Sequence, residues 1–152
     1  MKLTSRTEYA LQALITLGER FETGITPIQA IADEQKIPKR FLEQILNDLR
    51  AGGFVESRRG VSGGYRLARP PKDILFSELL VLLENFPSPS SPLPSSSPSS
   101  SPAENSQSAI QETVHKMLRA LFHSIEPISL ETLCSRSAEL KSGQGNDTNY
   151  SI

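Results

Sequence analysis

Residues 56–69 read Glu-Ser-Arg-Arg-Gly-Val-Ser-Gly-Gly-Tyr-Arg-Leu-Ala-Arg and hold the densest chemistry in the chain. Two short extended arms, Phe54–Arg58 and Tyr65–Ala68, flank a basic, glycine-rich tip at Arg59–Gly64. Gly63 and Gly64 are expected to supply the positive φ angles of a sharp hairpin. Guanidinium groups on such a finger can pair with phosphates and enter a narrow minor groove. Arg59, with Gly60 beside it, is the candidate for the groove, and Arg58 and Arg66 are candidates for phosphates. A second set precedes the finger: Lys39, Arg40, Glu43, Gln44 and Asn47 fall on one side of a helical pattern. Gln can bond adenine through two hydrogen bonds, Glu can accept from the cytosine amino group, and Lys or Arg can reach guanine or phosphate. Thr26 would join them if it opens a helix, because backbone N–H groups at a helix start hold phosphate.

Nothing comparable points to bond-making chemistry. His115 and His123 stand eight residues apart near the far end of the chain, and a metal there would need ligands from elsewhere. Glu8 reads first as a capping residue. The single cysteine, Cys134, excludes a disulfide within one chain and any all-cysteine metal site. The chain is expected to be no enzyme, and no metal or other cofactor is assigned to it.

Three amphipathic helices must position the recognition residues. The first runs from about Arg6 to Arg20, with Ser5 and Glu8 as a capping box and Ala10, Leu14 and Leu17 on one face. Thr26-Pro27-Ile28-Gln29 opens the second, with Thr26 as N-cap and Pro27 in the first turn. Pro38 starts the third, in which Phe41, Leu42, Ile45, Leu46 and Leu49 are expected to point inward and Gly52-Gly53 to end the helix. Two helices, a three-residue break and a basic hairpin are the order of a winged helix-turn-helix. Pro70-Pro71 stops the second arm, and a fourth helix spans roughly Phe76–Asn85.

Of the sixteen residues 87–102, all but Leu93 are Pro or Ser. Such a stretch cannot bury enough apolar surface to offset its ordering entropy, so 87–107 reads as a flexible linker after a domain at 1–86. Ser108 and Gln111 suggest a capping box for a further helix, along which Ile110, Val114, Met117, Leu118, Leu121 and Ile125 form a stripe. That stripe either folds back on the first helix or pairs with a second copy, and a homodimer is the expectation. A short helical turn around Leu130–Cys134 completes a unit at 108–135, and the polar residues 136–152 read as a frayed tail. The formal net charge is −1, yet residues 36–72 carry nine Lys/Arg against three acids. A basic block in an otherwise acidic chain gives a directed electrostatic footprint. No run is long enough to span a bilayer and no signal peptide opens the chain, so a cytoplasmic protein without membrane contact is expected.

Three stretches resemble one family, the dimeric winged-helix repressors of the Rrf2 family, which includes IscR, NsrR and CymR. They are the opening Met1–Leu11, the segment Phe41-Leu42-Glu43-Gln44-Ile45-Leu46-Asn47-Asp48-Leu49-Arg50, and the wing Arg58–Ala68. Ile128–Leu133 is similar to the segment that follows the family's dimerisation helix. The resemblance implies a homodimer on a partly palindromic operator, with the wing arginine in the minor groove. Two departures stand out. Val61-Ser62 occupies the place where family wings commonly carry Pro-Gly. Members that hold an iron–sulfur cluster use three cysteines between the post-wing helix and the dimerisation helix, where this chain has its Pro/Ser tract. Some relatives add Glu and His near the first helix; here Glu8 is present, but one turn on stands Gln12. Thiolates are the main ligands of such clusters, so none is expected.

The sequence therefore predicts a mainly α protein with a small β-hairpin wing, a winged helix-turn-helix followed by a long C-terminal dimerisation helix. The expected function is sequence-specific binding of double-stranded DNA by a homodimeric repressor without a cluster. A winged-helix module for a protein partner and a redox or metal sensor using Cys134 are the alternatives. The operator and the inducing signal, whether protein partner or small effector, are not readable.

Overall fold

The computed structural model describes residues 2–86, 88, 101–124 and 128–144. Its elements run α1 (Ser5–Glu19), α2 (Ile28–Gln35), α3 (Lys39–Ala51), β1 (Val55–Arg58), β2 (Gly64–Leu67), α4 (Phe76–Leu83), α5 (Pro102–Ser124) and α6 (Leu130–Gln144), with single 3-10 turns at Phe21–Thr23 and Pro71–Asp73. The mainly helical class with one antiparallel hairpin is as read from the sequence.

Apolar residues at helical spacing make one core. Ala10, Ala13, Leu14 and Leu17 of α1 meet Ile31 and Ala32 of α2 and Leu42, Ile45, Leu46 and Leu49 of α3. Val55 and Leu67 fasten the hairpin to that core, and Ile74, Leu79 and Leu83 close it from the side of α4. Lys36 ends α2 in the left-handed conformation, and Pro38 begins the turn into α3 by accepting from the N–H groups of Phe41 and Leu42. Gly53, at φ 77°, allows the Phe54 N–H to reach back to Leu49 O at 2.9 Å, so α3 passes directly into the wing.

Several local expectations need correction. The cap of α1 is Thr4, whose hydroxyl accepts from Thr7 N, and Ser5 is already helical. The N-cap of α2 is Pro27, with no side-chain capping bond. Thr26 instead forms a bridge to Tyr65, each N–H donating to the other's carbonyl at 2.8 Å. Its backbone donor satisfies a sheet partner and its side chain is buried. Phe41 is 57% exposed while its helical neighbours Leu42 and Ile45 are buried. Successive helical positions step by about 100°, which carries Phe41 past the edge of the inner face. At the wing tip Gly64 has the expected positive φ, at 157°, and Gly60 adds another at 109°, whereas Gly63 serves a different need. A Cβ on Gly63 would lie 2.4 Å from Arg58 O, so the tight crossing of the chain requires its hydrogen.

The C-terminal third differs most. Helix α5 begins at Pro102, so Ser108 lies inside it and residues 102–107 are helix rather than linker. Proline is well tolerated in a first helical turn, and Ala103 and Glu104 follow it. Helix α6 runs fifteen residues to Gln144, well beyond the expected short turn. Its periodicity is weak because its hold on the body is partly polar. Lys141 donates to Glu19 of α1 at 2.7 Å and Leu130 is fully buried in the common core, while Arg136 pairs with Glu139 within the helix itself. Backbone bonds Phe76 N to Ile128 O and Leu130 N to Ile74 O tie its start to the start of α4. The Pro/Ser tract from Pro89 to Ser100 and the last eight residues lie outside the described residues.

Candidate nucleic-acid interface

The outer face of α3 presents Lys39, Arg40, Glu43, Gln44 and Asn47, all exposed. Leu42, Ile45, Leu46 and Leu49, at most 3% exposed, hold the opposite face on the core and so fix the helix rotation. Arg6 braces the helix from α1, its Nη2 donating to Asp48 Oδ2 at 2.6 Å and its Nη1 to Leu83 O at 3.3 Å. The wing is a four-pair antiparallel ladder from Val55↔Leu67 to Arg58↔Gly64. A Cβ on Gly64 would fall 2.2 Å from Thr26 O, so this glycine lets β2 lie against the strand-like entry to α2.

Ion pairing inside the basic block decides which cations are available. Of its three acids, Asp48 is taken by Arg6 and Glu56 by Arg66, leaving Glu43. Arg66 donates to Glu56 Oε2 through both Nε, at 2.9 Å, and Nη2, at 2.8 Å, so it reaches the surface neutralised. Arg69 also serves the fold, bonding Glu78 and lying 5.4 Å over the Phe54 ring. Arg58 and Arg59 are exposed and have no acidic partner among the described residues. They line a groove of about 380 Å³ that joins the wing to the start of α2 and the end of α3, together with Gln29, Arg50, Ser57 and Gly60. Arg50 Nη1 donates to Ser57 Oγ at 3.0 Å and sets the distance between α3 and the wing.

Gln29, Arg50 and Ser57 were not singled out from the sequence. Strand alternation carried the signal for Ser57, which shares a face with the buried Val55 and therefore turns toward α3. Thr26, expected at the interface, is a buried strut of it.

The proposed dimer stripe is open on α5: Ile110, Val114, Met117 and Leu121 are between 42% and 64% exposed. Leu118 is half-buried, and Ile125 lies outside the described residues. None of the described residues of the stripe joins the core. On the same helix His115 is buried, at 7% exposure, and His123 is exposed.

Cys134 packs against α1, where a Cβ on Gly18 would come within 2.6 Å of its Sγ. Burial first, then the carboxylates of Glu19 and Glu131, push its thiol up to about 11. A thiol held protonated at neutral pH is a poor nucleophile and a poor metal ligand. Among the described residues no three His, Cys, Asp or Glu side chains cluster to hold a metal ion. With one cysteine in the whole chain, the donor set does not fit an iron–sulfur cluster. Among the described residues no helix is long and apolar enough to cross a membrane.

Comparison with known proteins accords with this geometry. The profile of the Rrf2 family, described as an iron-dependent transcriptional regulator, matches residues 3–136. The Synechocystis sp. helix-turn-helix protein slr0846 is 42% identical over 84 residues, 55% of this chain and 57% of that protein. The transcriptional regulator IscR of Klebsiella pneumoniae is 38% identical over 80 residues, 53% of this chain and 49% of IscR. The chain thus spans about half the length of the curated relatives it matches. Among solved structures, CymR, the global cysteine regulator of B. subtilis, superposes with a TM-score of 0.63 at 26% identity, over 90% of this chain and 98% of CymR. A hairpin wing beside an exposed polar helix, on a core matched across most of its length, places the chain in the Rrf2 family of winged-helix transcriptional regulators.

Proposed function

We propose that the chain represses transcription as a homodimer that binds a partly palindromic DNA site without an iron–sulfur cluster. One observation carries this reading. Pairing with Glu56 and with Glu78 removes Arg66 and Arg69 from the available cations, while Arg58 and Arg59 remain uncompensated and share a groove with Arg50 of α3. Lys39, Arg40, Glu43, Gln44 and Asn47 read base edges or adjacent phosphates from the major groove. Arg59 enters the minor groove from a tip shaped by Gly60, and Arg58 holds a phosphate. The α5 stripe pairs with its counterpart in a second copy and sets the two recognition helices about one DNA turn, roughly 34 Å, apart.

The absence of a fitting donor set supports the cluster-free part of the proposal, and the raised thiol of Cys134 argues against a redox sensor. The test is a binding selection with metal-free protein against a random DNA pool. Enrichment of a two-fold site supports the proposal. A folded, dimeric protein that enriches nothing refutes cluster-independent binding and favours a protein partner for the winged helix.

A further inference from the structure

A second groove lies between the start of α1 and the outer edge of α3. Ser5, Arg6, Tyr9, Phe41, Gln44 and Ile45 line a volume of about 490 Å³, within the range of small-molecule sites. Its walls are unusual for the surface of this protein. Phe41 is 57% exposed on a helix whose Leu and Ile side chains are at most 3% exposed, and Tyr9 is only partly buried. Two aromatic rings therefore border one open space, with Ile45 at its edge. Single exposed apolar residues are ordinary, but a ring pair in a concave site with convergent polar groups is a binding geometry.

The polar groups narrow the class of ligand. Arg6 is the cation in the groove, and its charge is already answered by Asp48 at 2.6 Å, with Leu83 O on a second nitrogen. An anion would meet the Asp48 carboxylate as well as the guanidinium, so the site favours an uncharged molecule. The Ser5 hydroxyl and the Gln44 amide have no hydrogen-bond partner among the described residues. A carboxamide offers one donor and one acceptor side by side, which matches the adjacent amino group and ring nitrogen of an adenine edge.

We propose that this groove binds an uncharged planar heteroaromatic molecule of the adenine type, its ring against Tyr9 and Phe41 and its donor–acceptor edge on Gln44. Gln44 also belongs to the outer face of α3, so an occupied groove withdraws it from base reading. That regulatory consequence rests on the DNA-binding proposal above, whereas the site itself does not.

Saturation-transfer NMR on the full chain with adenosine as probe, and phenol as a ring lacking the paired edge, tests the site. The expected result is transfer to the adenine ring protons, with shifts of the Gln44 side-chain amide and the Phe41 ring. Phe41→Ala should raise the adenosine Kd about tenfold, as expected for loss of one stacking partner. The exposure of Phe41 makes loss of fold a minor concern, which circular dichroism checks, and the shifts on the unaltered protein need no variant. Gln44→Ala should weaken adenosine and leave phenol unchanged. No transfer from adenosine, unchanged affinity in Phe41→Ala, or phenol binding as tightly as adenosine would each overturn the proposal. A DNA titration with the selected site separates the two readings. Adenosine binding with unaltered DNA affinity overturns the regulatory coupling alone, and failure to select any DNA leaves the adenosine result standing.

Discussion

Replacing Glu56 by Gln should strengthen DNA binding. In the structure the Glu56 carboxylate holds Arg66 through two donors at 2.8 and 2.9 Å, directly across the β1–β2 ladder. Both side chains are about half exposed, at 56% and 52%, so the pair contributes no more than about 1 kcal/mol to stability. Its loss should therefore leave the urea midpoint nearly unchanged. For DNA the balance differs, because Glu56→Gln removes a negative charge from the wing and frees a guanidinium for phosphate. One new phosphate contact per chain is two per dimer, which steepens the slope of log K against log salt by about 1.8. Fluorescence anisotropy of the selected site across a salt series measures this directly. The variant should gain most at low salt and converge on the parent as salt rises. Arg66→Ala should do the opposite, leaving Glu56 uncompensated beside the phosphates. An unchanged or shallower slope in Glu56→Gln would refute the placement of Arg66 near DNA. A loss of stability well above 1 kcal/mol would show the pair to be a strut of the hairpin.

Arg59→Ala should weaken binding to the selected site by about 1–3 kcal/mol and relax any A·T preference beneath the wing, as read by competition with point-substituted sites. Gly64→Ala should destabilise the fold by about 1–3 kcal/mol in urea titration, since a Cβ 2.2 Å from Thr26 O displaces the two backbone hydrogen bonds of the Thr26–Tyr65 bridge. Hydrogen bonds from the hydroxyl of Thr7 and from Thr4 hold the Glu84 carboxyl below its ordinary range. The folded state thus favours the ionised form, and this contribution is present above the unfolded pKa and lost as pH falls through the lower folded value. Glu84→Gln should accordingly flatten the fall of Tm on the acid side, and a parallel, merely shifted profile would exclude the carboxylate as the cause. Met117→Glu, in the exposed stripe of α5, should convert a sedimenting dimer to monomer while the circular dichroism of the core is kept.

Patterns confined to neighbouring residues carry much of the fold. Leu42, Ile45, Leu46 and Leu49 recur at helical spacing, so the buried face of α3 and the exposure of Lys39, Arg40, Glu43, Gln44 and Asn47 follow from one period. Glycines between two basic arms announced the wing for the same reason: hairpin chemistry is confined to a few neighbouring residues. Errors began where two candidates for one local role stood side by side. Thr4 and Ser5 both suit a cap, and only the bond from Thr7 N distinguishes them. Thr26 suits a cap by type, but the bridge to Tyr65, thirty-nine positions on, claims its backbone.

The sequence alone determined the order of elements, most of the inward face of each early helix and the excess of positive charge around the wing, because these depend on residues within a few positions of one another. The tertiary structure decided which charges are available and which segments are held. Glu56 neutralises Arg66 only because the strand register sets them opposite, and Asp48 is claimed by Arg6 from another helix. Polar residues 136–144 became helix because Lys141 finds Glu19 and Leu130 enters the common core. Contacts between residues far apart in the chain leave no period in the sequence, and it is those contacts that sort a run of arginines into struts and readers.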